Sequence, residues 1–136
     1  MVKASILLLS VFTLIIVLPN LLALRINEID INPADGKSGK EYIELYNDKS
    51  EEIDISGFTI YDGLTSPKKR FTIVEGILLD KHEYYVIELS NALNNNGDFV
   101  TLYDKDGKKV DETEKMAEVK SSSSTWQYCN DGWEFL

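Results

Sequence analysis

Cysteine and histidine are scarce in this 136-residue chain, which has one of each, Cys129 and His82. One cysteine cannot form an intramolecular disulfide, so the fold must be held by its hydrophobic core. We predict that Cys129 is buried as a small hydrophobic residue rather than exposed as a free thiol. His82 lies in a polar stretch beside Asp80 and Glu83 and is predicted to be exposed. Because Cys129 has no histidine nearby in sequence, neither residue indicates a catalytic pair.

Positive charge is also scarce. The chain has 14 lysine and arginine residues against 23 aspartate and glutamate residues, a net charge of −9. Proteins that bind nucleic acid neutralise phosphates with basic side chains gathered on one face. The basic cluster Lys68-Lys69-Arg70 adjoins an apolar strand, and we predict that it protects that strand from edge-to-edge pairing. Nucleic acid is therefore excluded as an expected partner.

Catalytic motifs are lacking as well. The serines at 121–124 form a polar run without the G-x-S-x-G pattern of a nucleophile elbow. Glu28, Glu41 and Glu44 could supply a pair of carboxylates for hydrolysis. Glu44, however, alternates with core positions of a strand and is predicted to point to solvent. We therefore predict no catalytic, cofactor-binding or metal-binding residues, and a protein that is not an enzyme.

The one long hydrophobic run lies at the start of the chain, where apolar residues dominate positions 4–24 after a single lysine. Residues 1–23 are predicted to be a secretory signal peptide cut after Ala23, or else an uncleaved N-terminal membrane anchor. Either alternative places residues 24–136, one domain with a single core, outside the cytoplasm. The domain is then secreted or held at the cell membrane.

The rest of the chain alternates apolar and polar residues with the period of a β-strand. Val, Ile, Thr, Tyr and Phe dominate the alternating runs, and clusters of Gly, Pro, Asn and Asp separate them. Only residues 114–123 leave a choice between a short helical turn and a loop. Eight to nine short strands predict an all-β fold, a β-sandwich of the immunoglobulin type. The runs are 25–31, 41–47, 53–62, 68–74, 83–89, 98–104, 108–113, 124–129 and 133–136.

The alternation also predicts the core. Trp126, Phe58 and Phe71 could instead form an aromatic platform for a glycan, but aromatic residues at this spacing favour the core of a sandwich. The predicted core comprises Ile43, Leu45, Ile55, Phe58, Ile60, Phe71, Ile87, Val100, Leu102 and Trp126.

Several of these runs contain sequence motifs more specific than the alternation common to all β-sandwiches. EYIELYN at 41–47 is followed by ISGFTIYD at 55–62, GDFVTLYDKDG at 97–107 and STWQYC at 124–129. These pieces, in this order, resemble the lamin tail domain family over residues 26–136. The resemblance implies an immunoglobulin-like sandwich that acts as a non-catalytic interaction module, as in many exported bacterial and archaeal proteins.

Three features depart from the family pattern. His82 stands where the family's turn commonly has glycine, which predicts a turn of a different type. Asn130-Asp131-Gly132 lacks the usual proline. The sequence ends at Leu136, before the Thr-Pro-Gly tail of the family, and a minimal domain or a truncated reading frame is expected.

The acidic segment DKDGKKVD, residues 104–111, is either a calcium loop or a turn. An EF-hand loop needs acidic ligands at positions 1, 3 and 5, glycine at position 6 and glutamate at position 12. Here lysine occupies position 5 and glycine position 4, so the motif fails. Asp-Gly between alternating strands predicts a hairpin turn at Asp106-Gly107.

A composite calcium site is the remaining metal alternative, since alternate connections meet at one end of an antiparallel sandwich. Lysines lie among the acidic residues of these connections, so a solvated charged rim without metal is favoured. The acidic residues concerned are Asp48, Glu51, Asp80, Asp104 and Asp106.

We expect an exported binding or tethering module at the cell surface or envelope, which contacts a protein or an envelope component without a cofactor. Two alternatives are an accessory subunit that targets a secreted hydrolase or nuclease and a calcium-dependent adhesion module. Sheet faces and edges are the expected contact surfaces, because edge strands offer unpaired backbone groups. The short run WEFL, 133–136, is expected to leave its neighbouring strand open to strand addition. An uncleaved N-terminal segment would also contact the membrane.

Overall fold

A computed structural model describes residues 24–34, 40–63 and 65–136 of the chain. The predicted signal peptide or anchor, residues 1–23, lies outside the described residues. Within the described ranges, no helix has the length and apolar character needed to span a membrane. The chain there consists of strands, turns and loops, which confirms the all-β prediction.

The described residues form eleven strands: β1 (Leu24–Asp30), β2 (Tyr42–Asn47), β3 (Ile53–Asp54), β4 (Thr59–Asp62), β5 (Lys68–Thr72), β6 (Leu78–Leu79), β7 (Tyr84–Glu88), β8 (Val100–Tyr103), β9 (Lys109–Glu112), β10 (Trp126–Cys129) and β11 (Gly132–Phe135). One sheet has the order β11-β10-β1-β2-β7, a second has the order β5-β4-β8-β9, and β3 pairs with β6. All of these strand pairs are antiparallel. The architecture is the immunoglobulin-like β-sandwich that the sequence predicts.

The structure has more strands than the eight to nine predicted. The run 53–62 is divided at Gly57, whose φ of 75° interrupts the extended backbone, so that β3 and β4 lie in different sheets. β6 consists of only Leu78 and Leu79. Two residues are too few to show an alternating pattern, so this strand could not be predicted from the sequence.

The five-stranded and four-stranded sheets pack face to face around one core. The predicted aliphatic core residues are all buried, but Phe58, Phe71 and Trp126 are half-buried and pack against the core from its margin. Full burial was a wrong prediction for these three residues. Phe58 precedes β4, Phe71 lies in the edge strand β5 and Trp126 begins β10, so each ring is covered on fewer sides than a central strand would allow. The confirmed core residues are Ile43, Leu45, Ile55, Ile60, Ile87, Val100 and Leu102.

The imperfect alternation of β1 has a structural cause. Ile26 and Ile29 are both fully buried, although an alternating strand would put residues three positions apart on opposite faces. The register between β1 and β2 shifts between Ile26 and Glu28, which marks a β-bulge at Asn27. The extra residue returns Ile29 to the core and turns Glu28 to the outside.

The hairpin of β10 and β11 turns at Asn130 and Asp131, which have φ values of 47° and 65°. Positive φ at both central residues of a two-residue loop defines the type I′ turn, whose twist matches that of the strands. Proline, with φ fixed near about −65°, fits neither position. The absence of the family's proline is therefore consistent with the turn that this chain forms.

Residues 114–123 form a loop rather than a helical turn. Met116 is buried in the core and exchanges two backbone hydrogen bonds with Asp98, of 2.8 and 2.9 Å. Glu118 is buried as well, and its carboxylate accepts hydrogen bonds from the Ser122 hydroxyl at 2.7 Å and the Asn32 N–H at 3.3 Å. These bonds hold the loop against the chain that leaves β1.

The sheet edges correct one prediction. Lys68, Lys69 and Arg70 lie on β5, an edge strand among the described residues, where their protective role stays a prediction. The 133–136 run, by contrast, does not leave its neighbour open. β11 pairs with one side of β10 and β1 with the other, so the ends of this sheet are β11 and β7.

Candidate binding surface

Side chains that alternate with core residues on β1, β2 and β7 form one continuous surface, here called the outer face. The register places Glu28 opposite Glu44, and Glu44 opposite Val86. Neighbours across strands lie on the same side of a sheet, so these side chains are adjacent. The outer face consists of Glu28, Tyr42, Glu44, Tyr46, Tyr84, Val86 and Glu88.

Aromatic rings occupy the end of the outer face near the start of β1. The ring centroids of Tyr46 and Tyr84 are 4.7 Å apart, and the Arg25 guanidinium lies 4.7 Å from the centroid of the Tyr46 ring. Asp48 holds Arg25 in place, with 3.1 Å between Nη1 and Oδ2. The cation is attracted to the ring face and orders it. Because Tyr84 is 54% exposed, this end presents ordered aromatic surface to a partner.

Carboxylates occupy the middle of the outer face. Glu28 accepts hydrogen bonds from the hydroxyls of Tyr42 and Thr125, the latter at 2.9 Å, and Glu44 accepts one from Asn27 Nδ2 at 3.0 Å. Burial raises the pKa of Glu44, and the negative charge of Glu28 raises it further. The pKa of Tyr42 is also raised, first by burial and then by its hydrogen bond to Glu28. Two facing carboxylates favour a ligand that carries positive charge.

Glu41, the third glutamate proposed as a candidate from the sequence, lies apart from this pair. It is buried, and its Oε2 accepts hydrogen bonds from the backbone N–H groups of Ala92 at 2.6 Å and Leu93 at 3.1 Å. These bonds tie the loop after β7 to the start of β2, which is a structural role. Of the three glutamates, the structure brings together Glu28 and Glu44, and Glu44 points away from the core as expected.

β7 is the edge of the five-stranded sheet in the described part of the chain. The residues that flank it, Glu83 and Leu89, are hydrogen-bonded to the backbone of the β2 segment at 3.0 and 2.8 Å. Bonded and non-bonded pairs alternate in an antiparallel ladder, so the backbone groups of Tyr84, Val86 and Glu88 point away from β2. The side chains of the same three residues belong to the outer face. β7 therefore offers a partner both unpaired backbone groups and outer-face side chains.

The family of this sandwich follows from comparison with known proteins. The family model described as Lamin Tail Domain matches residues 20–116. The chain belongs to the lamin tail domain family. Lamin tail domains are non-catalytic, immunoglobulin-like domains, in agreement with the observed sandwich. The match includes β1 to β9 and the whole outer face, whereas β10 and β11 lie beyond it. A comparison with curated proteins gives no match.

His82 has a left-handed backbone conformation in the turn before β7. Its φ of 58° is the left-handed conformation that glycine adopts most easily, so the histidine does not by itself require a different turn. The side chain is exposed, as predicted, and Nδ1 lies 3.2 Å from the hydroxyl of Tyr46. Cys129 is half-buried on β10, less than predicted, because β10 lies next to the edge of the sheet.

The serines of the 121–124 run anchor a loop of the lamin tail domain. The Ser121 hydroxyl donates to the Pro33 carbonyl at 2.9 Å, and the Ser122 hydroxyl donates to Glu118. These contacts are consistent with the absence of a nucleophile motif in the sequence.

The acidic segment at 104–111 is a hairpin turn between β8 and β9, as predicted. Asp104 organises it, because its Oδ1 accepts hydrogen bonds from the N–H groups of Asp106 at 3.0 Å and Lys108 at 2.8 Å. Gly107 has a φ of 79°, a conformation that favours glycine. The carboxylate that resembles a calcium ligand is therefore a turn-forming group.

Two further acidic residues of the predicted rim have cationic partners among the described residues. Asp48 pairs with Arg25, and Glu51 lies 3.9 Å from Lys49. In the part of the chain that the structure describes, no group of three or more His, Cys, Asp or Glu side chains is arranged to hold a metal ion.

Three polar residues with structural consequences were missed by the sequence-based predictions. Asn47 is fully buried and bonds to two loops. Asp111 on β9 accepts the Ile26 N–H at 2.8 Å, which links the two sheets, and burial raises its pKa. Asp30, at the end of β1, is 8% exposed. Alternation predicts exposed side chains at Asp30 and Asp111. It places Asn47 on the core side of β2 after Ile43 and Leu45, but an amide at the end of a strand beside a polar turn is ordinarily exposed.

Proposed function

We propose that this lamin tail domain is an exported, non-catalytic binding module that tethers a partner at the cell surface or envelope. The observation that carries the proposal is β7, an edge strand in the described residues with exposed Tyr84 and Val86. The partner contributes an extended segment that adds to β7 as a further strand. Backbone hydrogen bonds supply affinity in this mode, and side-chain contacts supply specificity.

The edges of the four-stranded sheet, β5 and β9, are less suited to strand addition than β7. β5 carries Lys68, Lys69 and Arg70, and the register of β9 against β8 is irregular. Lysines and bulges are the devices by which proteins block pairing at an edge. The β7 sequence Tyr-Tyr-Val-Ile-Glu has no lysine or proline, and its register against β2 is continuous. β7 is thus built as an edge that can accept another strand.

Charge indicates the chemistry of the partner. The outer face carries Glu88 on β7 itself, Glu44 on the adjacent strand β2 and Glu28 on β1, and the chain has a net charge of −9. A segment with lysine or arginine at alternate positions would place its cations next to Glu88 and in the negative field of the outer face when it pairs with β7. A polyanion would be repelled, so nucleic acid is not the proposed partner.

Export is supported by the sequence of residues 1–23, an apolar run after a lysine. With this segment cleaved the domain is secreted. With the segment retained the domain is anchored in the membrane and faces outward. Both cases place β7 where it meets proteins or envelope components outside the cytoplasm.

Substitution of Val86 tests the proposed strand addition. The Val86 N–H points away from β2, so Val86→Pro removes a donor that only an added strand would use, whereas Val86→Thr keeps it. Both full-length variants and the natural chain are used as baits in envelope extract, after circular dichroism and thermal melts have established that they are folded. We expect a protein that binds the natural chain and Val86→Thr to be lost from Val86→Pro. Equal capture by all three baits would contradict strand addition at β7.

A titration of labelled duplex DNA at about 50 mM salt tests the exclusion of nucleic acid, because low salt favours any electrostatic binding. We expect no binding. Micromolar affinity that falls steeply with added salt would contradict the charge argument.

A further inference from the structure

A cavity of about 250 Å³ lies at the end of the outer face, beside the C-terminal end of β1. Its lining includes Asp30, Lys40 and Tyr42 on one side, and Ser122, Ser123 and Thr125 on the other. An engineered cavity of about 150 Å³ can hold a molecule the size of benzene, so this one has room for an amino-acid side chain. The serine and threonine residues lie outside the family match, which ends at residue 116. The cavity therefore depends on residues beyond the matched part of the family.

Asp30 is the chemically unusual group of this cavity. The residue is 8% exposed, and its Oδ1 is buried without a hydrogen-bond partner among the described residues. Buried carboxylates normally have such a partner, because desolvation of the charge is costly. Burial raises the pKa of Asp30 to about 6, and the negative charges of Glu118, Glu28 and Glu41 add to this effect.

The neighbouring charged groups are already engaged. Glu28 accepts from Tyr42 and Thr125, and Glu118 accepts from Ser122 and Asn32. Lys40, a cation on the cavity lining, forms its ion pair with Glu88 on β7. Carboxylates therefore dominate the charge around the cavity. A backbone hydrogen bond from Asn32 reaches the Asp30 carboxyl and lowers its pKa in part, but the Asp30 Oδ1 has no partner among the described residues.

This environment selects one class of ligand. An anion is repelled by Asp30 and the acidic groups around it. In the described residues, no three carboxylate, imidazole or thiol groups are arranged around a metal ion. An organic ammonium group needs a single carboxylate and nearby hydroxyl oxygens, because its three N–H groups donate in separate directions. Asp30 supplies the carboxylate on the cavity lining, and Ser123 supplies a hydroxyl. The Thr125 hydroxyl donates to Glu28 and accepts from Gln127 Nε2, which leaves one lone pair as a further acceptor.

We propose that this cavity is a recognition pocket for an ammonium group, the side chain of a lysine on the partner, with Asp30 as its counter-ion. The pocket lies on β1, two strands from β7. The lysine would therefore come from a part of the partner that continues beyond the strand paired with β7 and crosses the outer face along the row of Glu88, Tyr42 and Asp30. The assignment of the lysine to that partner rests on the proposed function.

The pocket is tested on the full-length chain by nuclear magnetic resonance with small probes. The probes are lysine blocked at both ends as N-acetyl and methylamide, the equally blocked norleucine, which lacks the charge, and blocked arginine. We expect blocked lysine to shift the signals of Asp30, Tyr42 and Thr125 and to lower the pKa of the Asp30 carboxyl. Norleucine should leave the signals unchanged. Binding of arginine but not of lysine, or equal binding of norleucine, would overturn the assignment.

Two variants with the same change of charge complete the test. Asp30→Asn should weaken the binding of blocked lysine by about tenfold or more, the loss expected when a charge-assisted bond is removed. Glu134→Gln, on the exposed part of β11, should leave binding unchanged. Unaltered binding by Asp30→Asn would overturn the proposal. So would a pKa of Asp30 near or below its ordinary value of about 4 in the free protein, because the carboxylate would then already have a cation.

The outcomes are independent of the test at Val86, which is an exposed residue that does not line the cavity. If blocked lysine binds only when Asp30 is present, and all Val86 baits capture the same proteins, the lysine pocket is supported and strand addition at β7 is rejected.

Discussion

Asn47 at the end of β2 offers the sharpest test of how this sandwich is held together. The side chain is fully buried, and Nδ2 lies 2.9 Å from the Glu51 carbonyl, 3.0 Å from that of Leu79 and 2.9 Å from that of Asp80. Its Oδ1 accepts the N–H of Lys49 at 2.9 Å. One amide thus joins the loop that leaves β2 to the loop that enters β7.

Replacement of Asn47 by alanine should lower the free energy of unfolding by about 3–5 kcal/mol. The two amide hydrogens and Oδ1 make about three net hydrogen bonds of roughly 1 kcal/mol each. The Asp80 carbonyl keeps the Glu83 N–H at 3.2 Å, but the loss of the amide from the other carbonyl groups adds about 1–2 kcal/mol more. Unfolding in urea, followed by circular dichroism with the slope held in common, measures the difference. A loss below about 1 kcal/mol would refute this account, because it would mean that water replaces the amide without penalty.

Two further substitutions separate hydrogen bonding from packing. Asn96→Ala, at an exposed asparagine, should change stability by less than about 0.5 kcal/mol. Asn47→Asp keeps the shape but turns an acceptor oxygen toward the carbonyl groups. The pKa of the introduced carboxyl should be raised in the folded variant. The stability of Asn47→Asp relative to the natural chain should therefore be highest below about pH 4 and fall as the pH rises. Equal stability of Asn47→Asp and the natural chain at pH 7 would contradict the proposed orientation of the amide.

Four other results are expected. Trp126→Ala should cost about 2–3 kcal/mol of unfolding free energy, less than for a fully buried indole because the ring is half-buried, and a loss below about 1 kcal/mol would mean that it is exposed. Asp104→Ala should lower the free energy of unfolding by about 1 kcal/mol, because Asp104 accepts two N–H groups of the turn. The exposed control Asp106→Ala should change it little, and equal losses of stability in the two variants would contradict the role of Asp104. Burial raises the pKa of Asp30 to about 6, so its contribution to stability is fully present below about pH 4 and is lost as the pH rises to about 6. The difference in urea stability between the natural chain and Asp30→Asn should therefore change across this range at constant ionic strength, and a difference independent of pH would count against the raised pKa. A chelator should leave the melting temperature unchanged, and a fall of more than a few degrees would revive the calcium alternative.

The alternation of side chains predicts much of this fold because alternation and burial have the same physical origin. Ile43 and Leu45 face the core, with Glu44 between them on the other side, and each of these positions follows from a period of two. The turn at Asp106-Gly107 is equally local, since glycine is required where φ is positive. Features determined by a few neighbouring residues could therefore be predicted.

The candidate sites depend on contacts between distant parts of the chain, and these leave no local pattern. Alternation predicts that Asp30 is exposed, but segments near residues 33 and 122–125 cover it. Asn47 lies on the core side of β2 with Ile43 and Leu45, but the partners that make burial of its amide possible include the distant 79–80 backbone, which no local pattern indicates. The open edge of β7 likewise follows from the strand order, which the spacing of the runs does not specify.

The position of β1 between β2 and β10 sets the order in which the five-stranded sheet forms. β2 follows β1 closely in sequence, whereas Glu28 of β1 pairs with Gln127 of β10, about a hundred positions away. Closure of such a loop costs chain entropy, and distant pairings slow folding. The β10–β11 hairpin needs only its two-residue turn and should form within about 1–10 μs. We expect it to be complete before it docks, so that β1 keeps one unpaired edge until the last step. During that interval a second chain can insert its own hairpin, and domain-swapped dimers should therefore accumulate when refolding is carried out at high protein concentration.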